Sequence, residues 1–440
     1  SSSGSIQVKG TRTGSGVDIN TTGVGNVIGG ASSSASSSDI LLEAVGTSGI
    51  STDATIATSG SVTLNASAGG AITQTGGSVV ATGGTNSALR LLGAVNSTVA
   101  NLTSPTNDIN VLVVNLPGSA STLSYRDANG FAIGSLRAAA TQGDLGPYAA
   151  TDGIVVGTAG GAGNKLTLNA FGVVTQTAAG NITVGAMQLL GGTGVSYTLN
   201  NAGNNVSTLA ASTEGPISYR DADSYAIGTV SSSNVFSVFG IPTGGTNPVP
   251  TGTAGAYGTT ETNGASPYTA TTVGIHTTTN PARGTSSNVT LDHAGALTVL
   301  NDINVQGVLT EKSTSGPACA TFSGTRNITS LGTTQINNAA TATGTLTMMV
   351  NDLDLVGTIN AGANAVNVTT ATPTLGIDLG NRIGGTLNLD SGELSRITTS
   401  GLLTLGDTAH TGAISINSTI SKPAGASGGV TIVNNTGGIF

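Results

Sequence analysis

Apolar residues along this chain come in short runs of about four to seven positions, in which Val, Ile or Leu alternates with Ser, Thr or Asn. Successive side chains of an extended backbone point to opposite faces, so each run reads as a strand with one buried and one polar face. Such runs are SVTLNA at 61, KLTLNA at 165, NVTLD at 288, TLTMMV at 345, DLDLVGTI at 352, AVNVTT at 365, TLNLD at 386, LLTLG at 402, AISINSTI at 413 and VTIVNN at 430. Gly and Asn stand singly between them, where the chain has to bend.

The runs also repeat in order. SVTLNASAGGAITQTGG at 61–77 is echoed by KLTLNAFGVVTQTAAG at 165–180, and LSYRDANGFAIGSL at 123–136 by ISYRDADSYAIGTV at 217–230. Order is kept about a hundred positions apart, which marks a long-period duplication. Near the end of the chain strands follow one another every 10 to 20 positions or so, as expected when each coil contributes two or three strands. Strung antiparallel sandwiches and a parallel β-helix both fit alternating strands. Sandwiches, however, call for two-residue Asn-Gly hairpins, and these are rare here. The expected fold is all-β: an elongated parallel β-helix, or β-solenoid, over residues 1–230 and again over 288–440. Coils of about 20 to 25 residues rising about 4.8 Å each would give a rod on the order of 90 to 100 Å. Residues 231–287 break the rhythm with Pro242, Pro248, Pro250, Pro267 and Pro281 among Gly, Thr and Ser. Proline donates nothing to a ladder, so this Pro/Gly/Thr-rich stretch is expected to be an irregular loop insertion, either a tolerated decoration or a carrier of binding surface.

Composition narrows the function classes. Charged residues are 8% of the chain, with four Lys and five Glu, too few to clothe the wet faces of long helices. Net charge is −8 and the 13 basic residues are scattered singly, which argues against nucleic acid as a partner. No apolar run is long enough to cross a bilayer as a helix, so direct membrane insertion is not expected. Cys319 is the only cysteine, which excludes an internal disulfide and a thiolate cluster.

Candidate chemistry is sparse. Tyr125, Arg126 and Asp127 recur as Tyr219, Arg220 and Asp221; Tyr is expected to pack inward, with Arg and Asp forming a solvated corner pair that could instead contact carbohydrate. Asp352 and Asp354 should project from one face about 7 Å apart, a separation open to an inverting glycosidase or calcium, yet nothing nearby supplies further ligands or a pKa contrast. Asp390 and Glu393 are read, like them, as outer-face residues. His276, His293 and His410 are isolated from one another and from any hydrolase or metalloprotease motif. Thr73 and Thr75, with Thr175 and Thr177, are too few for the aligned ranks of an ice-binding face. No catalytic, cofactor or metal residue is assigned, no cofactor is expected, and the chain is not expected to be an enzyme.

AITQTGG at 71–77, the two Tyr-Arg-Asp blocks, NDLDLVGTINAG at 351–362 and TLNLDSGELSRITTSGLLTLGD at 386–407 together resemble the filamentous haemagglutinin-like exoproteins of two-partner secretion and their autotransporter-type relatives. That resemblance implies a right-handed helix, export through an outer-membrane pore of a Gram-negative-type bacterium, and an extracellular or cell-surface role in adhesion, aggregation or biofilm. Neither the signal peptide and secretion domain nor the membrane barrel of that family is recognisable, so a central fibre segment or a free-standing subunit is expected. The expected partners are further copies of the chain and host or neighbour-cell glycans. A subunit that polymerises by end-to-end stacking is the alternative, and a β-helix polysaccharide lyase or hydrolase a third reading.

Overall fold

The alternating runs form strands because β-branched residues and threonines at every second position suit a pleated surface buried on one side. The computed structural model describes residues 6–11, 16–21, 26–29, 39–84, 87–138, 147–158, 161, 163–192, 194–232, 248–249, 259–260, 271–277, 288–295, 297–301, 303–305, 309–313, 320–322, 328–330, 334–336, 345–349, 353, 355, 359–361, 365–370, 372–380 and 386–440. Among them the chain is all-β with long parallel pairings, and the single helix, Ser391–Ser395, is one short turn. The structure divides into two compact units, Ser1–Thr208 with Val230–Thr272, and Leu209–Thr229 with Val273–Phe440.

In the first unit three stacks of parallel strands are built in register. Ser61–Ala66 lies between Ile40–Ala44 and Ala88–Gly93, and the latter pairs onward with Val111–Leu116. The register aligns Leu42, Leu64, Leu91, Val114, Ile154 and Ile182 in one column, each fully buried. A second column runs Ile50, Ile72, Ala100, Leu123, Leu166 and Met187. The third stack pairs Val27–Gly29 with Thr55–Thr58 and then Val79–Ala81. Each buried Leu or Ile contributes about 1.5–3 kcal/mol relative to exposure, and it does so chiefly through the layers directly above and below.

The second unit repeats the plan. Ile227, Val299, Phe322, Met348, Val368, Leu405 and Ile432 share one register column, and Ile217, Val289 and Leu309 another. A separate three-stranded parallel sheet joins Leu387–Leu389, Ile377–Leu379 and Ile414–Ile416. Where strands stack without an intervening excursion, register partners lie roughly 20 to 27 positions apart.

Two short pieces pair antiparallel, Ser135–Leu136 with Thr151–Asp152 and Pro248–Val249 with Thr259–Thr260, while the long stacks are parallel. The scarcity of Asn-Gly hairpins in the sequence matches this. At the bends glycine is required where chains cross: Gly49 has φ +81°, and a Cβ there would lie 1.9 Å from the Ala71 carbonyl oxygen. Besides the short antiparallel pair at Pro248–Val249 and Thr259–Thr260, two more strands fall inside the stretch expected to be irregular, since Thr271–Val273 and Ile275–Thr277 are extended and the latter stacks on Ala211–Thr213. The stacking therefore resumes before residue 288, and most of 231–270 lies outside the described residues.

Candidate functional site

The most chemical-looking motif, Tyr-Arg-Asp, becomes a buried corner in both copies. In the first unit the strand Thr122–Arg126 ends at Asp127, whose side chain is fully buried. Tyr125 donates its hydroxyl to Asp127 Oδ2 at 2.7 Å, and the backbone N–H groups of Asn129 and Ile109 donate to the same carboxylate at 3.1 and 3.3 Å. The Tyr125 ring meets Phe131 edge to face at 5.3 Å. Burial pushes the Asp127 carboxyl up to about 6 despite these donors, and burial and the adjacent carboxylate push the Tyr125 phenol up as well.

The second unit repeats the corner. Tyr219 donates to Asp221 Oδ2, the Asp223 N–H donates to Asp221 Oδ1 at 3.0 Å, and Tyr219 meets Tyr225 edge to face at 5.3 Å. Here the cluster extends to buried His293, which contacts Tyr225 and uses Nδ1 on the Gly295 carbonyl at 2.7 Å. Tyr packs inward as expected, but the solvated Arg–Asp pair is corrected: Asp turns inward to satisfy the phenol and two peptide N–H groups. The arginines have other partners. Arg126 is buried over the Phe171 ring, 4.9 Å from its centroid, and Arg220 reaches Asp292 at 3.8 Å. Register explains the divergence, because Arg126 sits beside Asn169 where Arg220 sits beside Asp292. The half-exposed Arg220 pair is worth under about 1 kcal/mol.

A second duplicated corner carries the TQT blocks. Asn107 Oδ1 accepts from Gln74 Nε2 and the Val79 N–H, both at 2.8 Å, while its Nδ2 donates to Gln74 Oε1, the Leu102 carbonyl and the Arg126 carbonyl. Asn204 and Gln176 reproduce this with the Ile182 N–H and the Leu199 carbonyl. Gln74 and Gln176 were legible as repeats; Asn107 and Asn204, 33 and 28 positions on, were not.

Other expected positions resolve differently. Asp390 and Glu393 are not outer-face carboxylates but a capping box: Asp390 accepts from the Glu393 N–H at 2.8 Å, and Glu393 returns to the Asp390 N–H at 2.9 Å. Buried Glu393 also accepts from the Leu355 N–H at 3.2 Å. His276 is half-buried on Ile275–Thr277, and His410 is buried with Nδ1 3.1 Å from Thr370 Oγ1. Asp352, Asp354 and Cys319 lie outside the described residues.

Sequence reading missed Arg90, placed in a strand interior and yet only 1% exposed. The excursion after Ser135–Leu136 covers it: Arg90 Nη2 donates to the Arg137 carbonyl at 2.6 Å, Leu136 packs on Ala88 and Val113, and Tyr148 packs on Leu41 while donating to Glu43 at 3.0 Å. Also missed was a register row in the second unit, Thr298, Thr321, Thr347, Asn367, Thr404 and Thr431. Its flanking residues Leu297, Val299, Val366, Val368, Leu403 and Leu405 are buried, so alternation turns Thr298 and Thr404, both half-buried, toward the outer face, and Thr431 on the last strand is exposed.

Both Tyr-Asp pairs are closed off from solvent, which suits them to holding bends and gives a substrate no approach. Among the described residues no group of three or more His, Cys, Asp or Glu is placed to hold a metal, and no helix is long and apolar enough to cross a membrane. No protein-family model, curated protein or solved structure matches the chain.

Proposed function

We propose that the chain is a stretch of right-handed parallel β-solenoid that works outside a bacterial cell as a structural and adhesive surface. The observation that carries this reading is the register row Thr298–Thr321–Thr347–Asn367–Thr404–Thr431, one polar residue per stacked strand at the ladder spacing of about 4.8 Å, in which Thr298 and Thr404 are half-buried and Thr431 is exposed. Such a row offers repeated, weakly charged hydrogen-bonding groups, each weak alone and additive along an extended partner. Surface glycans have matching chemistry, and export by an outer-membrane pore follows from the family resemblance. Polar groups are spent on fastening bends, which favours a scaffold over a catalyst.

The test is binding of the purified chain to a glycan array and to bacterial and epithelial cells, with T404V/T431V as the control. Binding that weakens at least about tenfold in the variant supports the proposal. Equal binding by both proteins, or none by either, removes it. Negative-stain images of the same sample test self-assembly: filaments would move the reading to a polymerising subunit, and dispersed particles would keep it with the adhesin. A depolymerised polysaccharide would favour the enzyme.

A further inference from the structure

We infer that His410 is an acid-sensitive latch, which holds the strands of residues 365–435 together while its imidazole is neutral and releases them when it is protonated. Three segments meet at this residue, one of them through the ring and one through the backbone carbonyl. Thr370, just after the strand Ala365–Thr369, contacts Nδ1 at 3.1 Å; the strand Leu403–Gly406 leads into the His410 turn; and beyond Val430–Val433 the Asn435 N–H donates to the His410 carbonyl at 2.9 Å. The ring is 1% exposed and its Nε2 has no partner. A neutral imidazole tolerates this, since its one N–H can sit on Nδ1 and donate to Thr370 Oγ1 while Nε2 stays bare. Imidazolium carries hydrogen on both, and the second N–H then has no acceptor in a buried site.

Asp407 is the one charged group acting on the ring among the described residues, and its oxygens are already engaged. Oδ2 accepts from Thr369 Oγ1 at 2.8 Å and Oδ1 from the Ala409 N–H at 2.7 Å. The groups contributed by the other packed segments, Thr370 and Asn435, are neutral. Burial outweighs Asp407 and lowers the His410 pKa below 6.5. A histidine whose folded pKa is depressed binds its proton more readily in the opened state, so opening is favoured as pH falls from about 6.5 toward the folded value and levels off below it.

Two measurements on the full chain test the latch. The first is an NMR titration of the three histidine rings in 15N-labelled protein, with H410Q identifying the His410 signal. The expected result is a His410 midpoint below 6.5; a midpoint at or above 6.5 overturns the proposal. The second is amide exchange of residues 403–410 and 430–435 at pH 7 and pH 5, expressed as protection. The wild type should lose protection by up to about tenfold per pH unit across the window, and H410Q, whose amide can still bond Thr370, should lose none. Protection that is independent of pH in the wild type, or that falls equally in H410Q, overturns the proposal. If H410Q does not fold, assigning the histidine signals through H276Q and H293Q lets the wild-type titration decide.

Discussion

Replacing Asp127 by Asn should reverse sign in its effect across pH. In the folded chain the carboxyl is buried and titrates near 6, against 3.8 ordinarily. A group whose folded pKa is raised contributes stability that is complete below the unfolded value and is lost as pH rises through the folded one. The shift of about two units corresponds to about 3 kcal/mol, at about 1.4 kcal/mol per unit. Asn keeps one acceptor oxygen, for the Tyr125 hydroxyl, gives up the one that meets the Asn129 N–H at a cost that does not vary with pH, and does not ionise. The stability difference, wild type minus D127N, should therefore fall by about 3 kcal/mol between pH 3.5 and pH 7.5, leaving the variant relatively favoured at neutral pH. Taking the difference cancels the titration of the other carboxylates, which contribute alike to both proteins. Urea unfolding followed by tyrosine emission suits a chain without Trp; local exchange at residues 109–129 serves if unfolding is not two-state. A difference that is flat with pH, or that grows as pH rises, would refute the claim that burial outweighs the three hydrogen bonds.

The remaining predictions concern packing and bends. N107A should cost about 3 kcal/mol, because the Val79 N–H and Gln74 Nε2 lose their partner in a buried site while Gln74 Oε1 keeps only the Ser104 N–H, and hydrogen exchange should report the loss first at residues 72–81 and 102–109. G49V should disrupt the bend, since a Cβ there meets the Ala71 carbonyl; a melting temperature equal to wild type would show that the crossing is looser than it looks. R90M should be within about 1 kcal/mol of wild type or more stable, because Nε and Nη1 are buried without partners and the apolar stem fills the same space under Leu136 and Tyr148. A loss above about 3 kcal/mol would mean that the bond to the Arg137 carbonyl fastens the excursion.

Strand positions were legible because period two is a local property. Residues 61–66, 165–170 and 365–369 are strands where the alternation put them, and the duplicated blocks fold as duplicated corners. What escaped depends on neighbours in the stack, which lie 20 or more positions away. Nothing near Arg126 announces Phe171, and nothing near Gln74 announces Asn107. Asp127 was misjudged because charge predicts exposure until a phenol and two peptide N–H groups converge on one carboxylate. Arg90 was hidden for the complementary reason: its strand has an outer face, and a later segment of chain covers it. The threonine row could not be seen at all without register, since its members are spaced unevenly along the chain.

Register is also the central claim, and spin-label distances test it most directly. With Cys319 replaced by Ser, nitroxides paired between position 298 and positions 367, 404 or 431 span three, four and five ladder steps. At about 4.8 Å per step the separations should centre near 14, 19 and 24 Å, rising by one equal increment each time although the intervals in sequence differ. Distances that rise unevenly, or that fail to rise in that order, would contradict a parallel stack.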